Sequence, residues 1–208
     1  ADRREVAVED HGLGYCNIPG LFTAAQQDGW RRVTEAVHAA GGRIFVQLMH
    51  TGRVGHPLNL PQGARVLGPS AIAAPGMMFT LQQGPQPIPI PEVMTEGDIE
   101  RALQSYADAA EAAIAAGFDG IELHGANGYL IDQFLNLASN QRDDDWGGGI
   151  AQRTRFALEA AHRTVARIGA DRVGFRVSPY GAFNGMSAAN DPDHEALYAH
   201  LASELSAL

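Results

Sequence analysis

The sequence predicts an α/β fold with a parallel sheet, because buried strands alternate with helical patterns along the chain. Three short runs rich in apolar and β-branched residues predict buried strands at residues 43–50, 118–124 and 172–178. A helical pattern that ends near a glycine precedes each of them. Polar residues stand at the carboxyl end of each strand, which is where α/β folds place their functional sites.

The helices are predicted from their caps and stops. Thr23 is a candidate N-cap for a helix that ends before Gly41, and Thr95 opens a second helix that ends at Gly117. Asp98 stands at the capping-box distance from Thr95. A third helix is predicted over about 150–168 and a last one from about 192 to 208. Before all of these, residues 5–8 (Glu-Val-Ala-Val) are expected to end an earlier strand.

The number of strand-helix units limits the architecture. The 208 residues hold three or four such units, whereas a complete (β/α)8 barrel has eight in about 250 residues. The chain therefore predicts either a small open sheet or an incomplete barrel, and its abrupt start and uncapped last helix favour the barrel. Residues 51–94 carry eight of the eleven prolines and predict a long irregular lid or binding loop.

Composition excludes several classes of function. All fifteen basic residues are arginine, so Schiff-base chemistry and the P-loop lysine are excluded for these residues. The formal charge of −9, without an Arg cluster, argues against nucleic acid as a partner. No apolar run is long enough to span a bilayer, so we expect a soluble protein without a membrane partner. The single cysteine fits a reducing compartment, and we expect a cytoplasmic location.

The strongest candidate site is the segment His124–Asn136 (HGANGYLIDQFLN), which directly follows a strand. His124 and Asn127 are three residues apart, so their side chains can donate to one oxygen and polarise a carbonyl. Tyr129 is a candidate general acid. The structural alternative is that His124 caps the strand, Asn127 supplies the turn and Tyr129 packs on the following helix.

Two polar side chains interrupt apolar strands and need partners. The amide of Gln47 both donates and accepts, as the edge of a flavin pyrimidine ring requires, or it bonds a neighbouring strand. Arg176 needs an anion or a carbonyl edge, and an ion pair with Glu122 is the alternative. The residues alone do not decide between these interpretations. The three aspartates at 143–145 suggest a metal site but are more typical of a hydrogen-bonded turn.

Five segments in the same order resemble the old yellow enzymes, over essentially the whole chain: FVQLMHTGR, GPSAIAAPG, HGANGYLIDQFLN, SNQRDDDWGG and RVSPYGAFNGM. The resemblance implies the central part of one TIM-barrel domain over residues 1–208, from about strand 2 or 3 to helix 5, with 51–94 as a loop insertion. It also implies flavin mononucleotide (FMN) as cofactor and NADPH or NADH as reductant.

By this resemblance, His124 and Asn127 bind the activating oxygen of the substrate, and Tyr129 protonates the substrate. Gln47 and Arg176 contact the flavin ring. Met49 stands near the substrate, where the family often has an aromatic residue. The aspartates and Arg142 brace loops. The strands that hold the flavin phosphate in the family fall beyond residue 208.

The function that follows is reduction of the C=C bond of an α,β-unsaturated carbonyl or nitro compound. A metal-dependent hydrolase or isomerase with His50, Glu122 and His124 as ligands is a rival hypothesis. A second rival is a non-catalytic fragment that needs another chain to cover its sheet edge. The expected partners are a small-molecule substrate and either a second copy of the chain or a complementing polypeptide.

Overall fold

The computed structural model describes residues 3–208, with side chains from Glu5 onward. In chain order its elements are β1 (Arg3–Ala7), α1 (Ala24–Ala39), β2 (Phe45–Met49), β3 (Leu67–Gly68), β4 (Met77–Thr80), β5 (Gly84–Pro87), β6 (Glu92–Val93), α2 (Glu96–Ala115), β7 (Gly120–Gly125), α3 (Leu130–Leu135), α4 (Ile150–Ile168), β8 (Val173–Val177) and α5 (His194–Leu205).

The main sheet contains four parallel strands in the order β1-β2-β7-β8. The three strands expected from the sequence are confirmed to within two residues at each end. Strand β1 confirms the expected earlier strand and pairs with β2. The fold is therefore α/β with a parallel sheet, as predicted.

The helices begin and end for the local reasons that the sequence indicated. The N-cap hydroxyl of Thr23 accepts the Gln26 N–H, and that of Thr95 accepts the Asp98 N–H, each within a capping box. Helix α2 stops before Gly117, whose φ is +91° and whose Cα faces the Thr34 hydroxyl. The predicted helix over 192–208 is shorter, at His194–Leu205, because the Asp191 carboxylate accepts the Asp193 N–H and forms a turn there.

Residues 51–94 are more regular than the sequence predicted. Strands β4 and β5 form an antiparallel hairpin, and β3 pairs in parallel with β6. Prolines are tolerated in β5 because a two-stranded ribbon leaves every second N–H facing outward. These strands have two to four residues each, which is too short for an alternation pattern to reveal them.

One face of the main sheet packs against the helices and forms the core. Val46, Leu48, Ile121 and Leu123 lie in this core with the alanine-rich side of α2. Helix α4 packs on α2, and it also packs on α3, where the ring of Phe156 stacks on Phe134 at a centroid distance of 4.4 Å. Within residues 3–208, no helix is both long enough and apolar enough to cross a membrane.

Candidate functional site

The second face of the sheet carries the polar residues. Side chains alternate along a strand, so Gln47 and Met49 point away from the core that holds Val46 and Leu48. The strand register places Gln47 beside Glu122 and His124 beside Arg176. Four of the six candidate residues from the sequence, Gln47, Met49, His124 and Arg176, therefore share one face of the sheet.

Gln47 has one partner and one free acceptor on this face. Its side chain is buried, and its Nε2 donates to Glu122 Oε1 across the sheet. Its Oε1 has no hydrogen-bond partner among the described residues. A buried acceptor in this state needs a donor, and the N–H of a flavin pyrimidine edge is such a donor. The residues present thus fit a flavin ring on this face.

Glu122 is the residue that the sequence offered as an ion-pair partner for Arg176. In the structure it accepts the Gln47 amide across the sheet. Arg176 is half-buried, and its guanidinium side chain lies on the same face as Gln47 and His124. A cation in this place suits an electron-rich carbonyl edge.

The turn after β7 carries Asn127 and Tyr129. The N–H of Tyr129 donates to the Ala126 carbonyl, and the two residues between them have positive φ, 59° at Asn127 and 76° at Gly128. Positive φ at both central positions is the type I′ pattern that Asn-Gly favours. Asn127 is therefore a turn residue, as the structural alternative proposed, and the turn also holds its half-buried side chain beside the end of β7.

Tyr129 lies between His124 and Tyr15. Its ring contacts the His124 ring edge-on at a centroid distance of 5.1 Å, and its hydroxyl is 3.0 Å from the Tyr15 hydroxyl. Burial raises the pKa of the Tyr129 phenol far above its usual range. The phenol therefore keeps its proton at any working pH and is available as an acid.

Three residues that support this turn were not identified from the sequence. Tyr15 comes from the loop after β1, and Asn184 donates from Nδ2 to the Asn127 carbonyl at 2.8 Å. Arg53 is fully buried and donates to the Asn184 carbonyl and to the Ile72 carbonyl. Burial lowers the pKa of Arg53 to about 10. Arg53 thus connects loop 51–94 to the segment that supports Asn127.

The rival metal site does not form. No group of three potential metal-binding side chains occurs among residues 3–208. His50 is turned toward the interior of the fold, where its Nε2 contacts Glu9 at 3.0 Å and its Nδ1 accepts the Gly52 N–H. Both ring nitrogens are engaged, so the hypothesis that His50, Glu122 and His124 bind a metal together is wrong.

The three consecutive aspartates form a turn, as the sequence favoured. Arg142 donates to Asp144 through Nε at 2.9 Å and through Nη1 to the carbonyls of Pro69 and Met94. The Trp146 indole N–H donates to Glu96 at the start of α2. This segment therefore ties loop 51–94 to the barrel helices.

Comparison with known proteins gives a consistent result. A family model described as NADH:flavin oxidoreductase / NADH oxidase matches residues 4–207. The chain is 46% identical, over 90% of its length, to a protein from Leishmania infantum described as a probable flavin mononucleotide-dependent alkene reductase, of which it covers 52%. It thus spans about half the length of the curated relatives that it matches.

Solved structures agree with this assignment. The old yellow enzyme homologue from Zymomonas mobilis superposes with a TM-score of 0.91 at 37% identity, over 98% of this chain and 56% of that one. Morphinone reductase in complex with tetrahydroNAD superposes with a TM-score of 0.90 at 38% identity, over 97% of this chain and 56% of that one. These neighbours are TIM barrels, and the four-stranded sheet corresponds to part of such a barrel. The chain belongs to the NADH:flavin oxidoreductase / NADH oxidase family, the family of the old yellow enzymes.

Proposed function

We propose that the protein is an FMN-dependent ene-reductase that uses NADPH or NADH to reduce the C=C bond of α,β-unsaturated carbonyl or nitro compounds. Residues 1–208 are then the central part of one FMN-binding barrel domain, with 51–94 as an insertion. The observation that carries the proposal is the grouping of Gln47, His124 and Arg176 on the polar face of the sheet, beside the turn that holds Asn127 and Tyr129.

Each of these residues has a role that its surroundings support. Gln47 offers its free Oε1, and Arg176 its guanidinium, to the edge of the flavin ring. Bound FMN supplies hydride transfer from the nicotinamide to carbon. His124 and Asn127 bind the activating oxygen of the substrate and stabilise the negative charge that develops there.

Tyr129 is the proton donor in this proposal. Its raised pKa keeps the phenol protonated until substrate is reduced. The proton then passes to the α-carbon, which neutralises the negative charge that develops on the substrate. Met49 is buried on the same face of the sheet and contributes to the shape of the substrate pocket.

Anaerobic assays on the flavin-loaded protein test this function. We expect NADPH or NADH to bleach the flavin absorbance and 2-cyclohexenone to restore it, with cyclohexanone as the product. Asn127→Ala should slow the second step by about 100-fold, since one donor to a developing oxyanion is lost. Absence of cyclohexanone with fully reduced flavin would exclude ene-reduction.

Location and assembly are further proposals. We propose a cytoplasmic protein, on the support of the single cysteine. We also propose that the barrel associates with a second copy or is completed by a second polypeptide, because β1 and β8 end the described sheet. Light scattering on the purified protein distinguishes a single chain from either assembly.

A further inference from the structure

The carboxylate of Asp132 lies beneath the turn that carries Asn127 and Tyr129. Asp132 belongs to α3 and is 1% exposed. Its Oδ2 accepts the Gly128 N–H at 2.8 Å and faces the Ser178 hydroxyl at 3.4 Å. The Ser178 oxygen in turn accepts the Asn127 N–H at 2.8 Å. Two consecutive backbone N–H groups of the turn are therefore held, directly or through one hydroxyl, by a single carboxylate oxygen.

The other oxygen of Asp132 connects the turn to helix α5. Asp132 Oδ1 accepts the Tyr198 hydroxyl at 3.2 Å, and the Tyr198 ring contacts the buried His194 at a centroid distance of 5.1 Å. Arg153 on α4 and Asp191 before α5 form a buried ion pair close to Tyr198. A positive charge on His194 would lower the pKa of Asp132.

We infer that Asp132 is a positioning residue whose ionised carboxylate fixes Asn127 and Tyr129 in their working geometry, so that its protonation lowers the rate of substrate reduction. A charged acceptor holds an N–H about twice as strongly as a neutral one. Asn127 and Gly128 both have left-handed backbones, so the turn depends on such bonds to keep its shape.

The pH at which this happens follows from the surroundings of Asp132. Burial raises its pKa to about 6, although the hydrogen bonds from Gly128, Tyr198 and Ser178 and the charge of His194 act in the opposite direction. Asp132 is thus ionised at pH 8 and largely neutral at pH 5. The turn is held most firmly in the upper part of this range.

The first test is spectroscopic and does not depend on the proposed function. Labelling asparagine with carbonyl ¹³C and glycine with ¹⁵N selects Asn-Gly pairs, of which these 208 residues contain two, at Gly128 and Gly185. In the flavin-loaded protein we expect the Gly128 amide proton to shift upfield as the pH falls, with a midpoint near 6, and the shift to vanish in Asp132→Asn. A Gly128 signal that stays constant from pH 5 to 8 would overturn the inference.

The second test is kinetic and rests on the proposed function. Asp132→Asn should lower the rate at which reduced protein converts 2-cyclohexenone by about tenfold or more at pH 8, because small displacements of reacting groups are costly. Its profile should be flat from pH 5 to 8, whereas the wild-type rate falls toward it on acidification. A purely structural role would lower the rate equally at every pH and leave the profile unchanged, which would contradict the inference.

The control is Asp108→Asn, an exposed aspartate on α2 that pairs with Arg167. It should keep both the wild-type rate and the wild-type profile. If the wild-type protein reduces no enone at any pH, the proposed function fails while the Gly128 titration still tests the positioning role.

Discussion

The two hydroxyls of Tyr15 and Tyr129 lie 3.0 Å apart, and only one of them can donate to the other. If Tyr129 donates, its proton points at Tyr15 and away from the substrate. If Tyr15 donates, the Tyr129 proton stays free for transfer, and the oxygen that loses it retains a hydrogen bond. The second arrangement is the one that general-acid work by Tyr129 requires.

Replacing Tyr15→Phe should therefore slow the protonation of substrate. A hydrogen bond to a charged group is worth about 1.5–3 kcal/mol, so the rate of enone reduction should fall by about 10- to 100-fold. Stopped-flow measurement of the two half-reactions checks this, because flavin reduction by NADPH or NADH should stay unchanged. Tyr180→Phe, at a tyrosine that is 72% exposed, is the matched control. Equal rates in both variants would refute the role of Tyr15.

The buried Asp132 also predicts how stability depends on pH. Its pKa rises from 3.8 in the unfolded chain to about 6 in the fold, so the folded state binds the proton more tightly. The contribution of Asp132 is thus fully present below pH 3.8 and is lost as the pH rises through 6. This loss amounts to about 3 kcal/mol at 1.4 kcal/mol per pKa unit.

Asp132→Asn should accordingly raise the free energy of unfolding at pH 7, by up to that amount, while it slows the reaction. Denaturant unfolding of variant and wild type at pH 5 and pH 7 measures the difference. The gain should be larger at pH 7 than at pH 5. A variant that is less stable at both pH values would show that Asp132 mainly holds the fold together.

At the scale of single elements, hydrophobic periodicity and helix caps were sufficient to predict the main strands and helices. Strands β2, β7 and β8 follow from apolar runs, and helices α1 and α2 from their capping boxes and glycine stops. These signals are local, so one sequence is enough to find them.

The supporting contacts of the site were not predictable in this way. Tyr15 and Tyr129 are 114 positions apart, and Asn184 and Asn127 are 57 apart. Only the folded chain brings them together, and no spacing rule connects them. The roles of Gln47 and Arg176 came from the family resemblance, because their residue types alone left two interpretations open.

A pair of glycines tests the helix-stop argument. Gly117→Ala should lower the free energy of unfolding by about 1–3 kcal/mol, because its φ is +91° and a Cβ would lie 2.7 Å from Thr34 Oγ1. Gly29→Ala, within α1 and with no atom near the new Cβ, should raise it by about 0.5–1 kcal/mol. Thermal and denaturant unfolding of both variants gives the two signs. The same sign in both would contradict the argument.

At the scale of the whole molecule, the described sheet has four strands, whereas the barrels it resembles have eight. Strand β8 is only partly covered, and its outer edge has no partner among the described residues. In the family resemblance, the flavin phosphate is held by strands that follow this part of the barrel. In the proposed function, the polar face of the sheet supplies the ring contacts and the substrate donors, and the resemblance assigns the phosphate contacts to other strands.

We accordingly expect residues 1–208, produced alone, to bind FMN weakly. Loss of a phosphate site removes several charge-assisted hydrogen bonds, so the Kd should rise by about 1,000-fold relative to a protein of the relatives' full length. Flavin fluorescence titration and the visible spectrum of the purified protein measure this. Flavin that copurifies at one per chain would refute the expectation.

The two faces of the sheet also impose different rules on sequence variation. Val46 and Leu48 lie in the core, so the volume of a new side chain decides whether the protein still folds. At Gln47 and Met49, on the polar face, the chemistry of the side chain matters more for function. A saturation library of β2 selected for folding should thus tolerate changes at every second position. The same library selected for turnover should in addition reject polar-face changes that remove the chemistry of the site. Directed evolution of substrate range then has its usable positions in β2 on the polar face, where a change leaves the core intact.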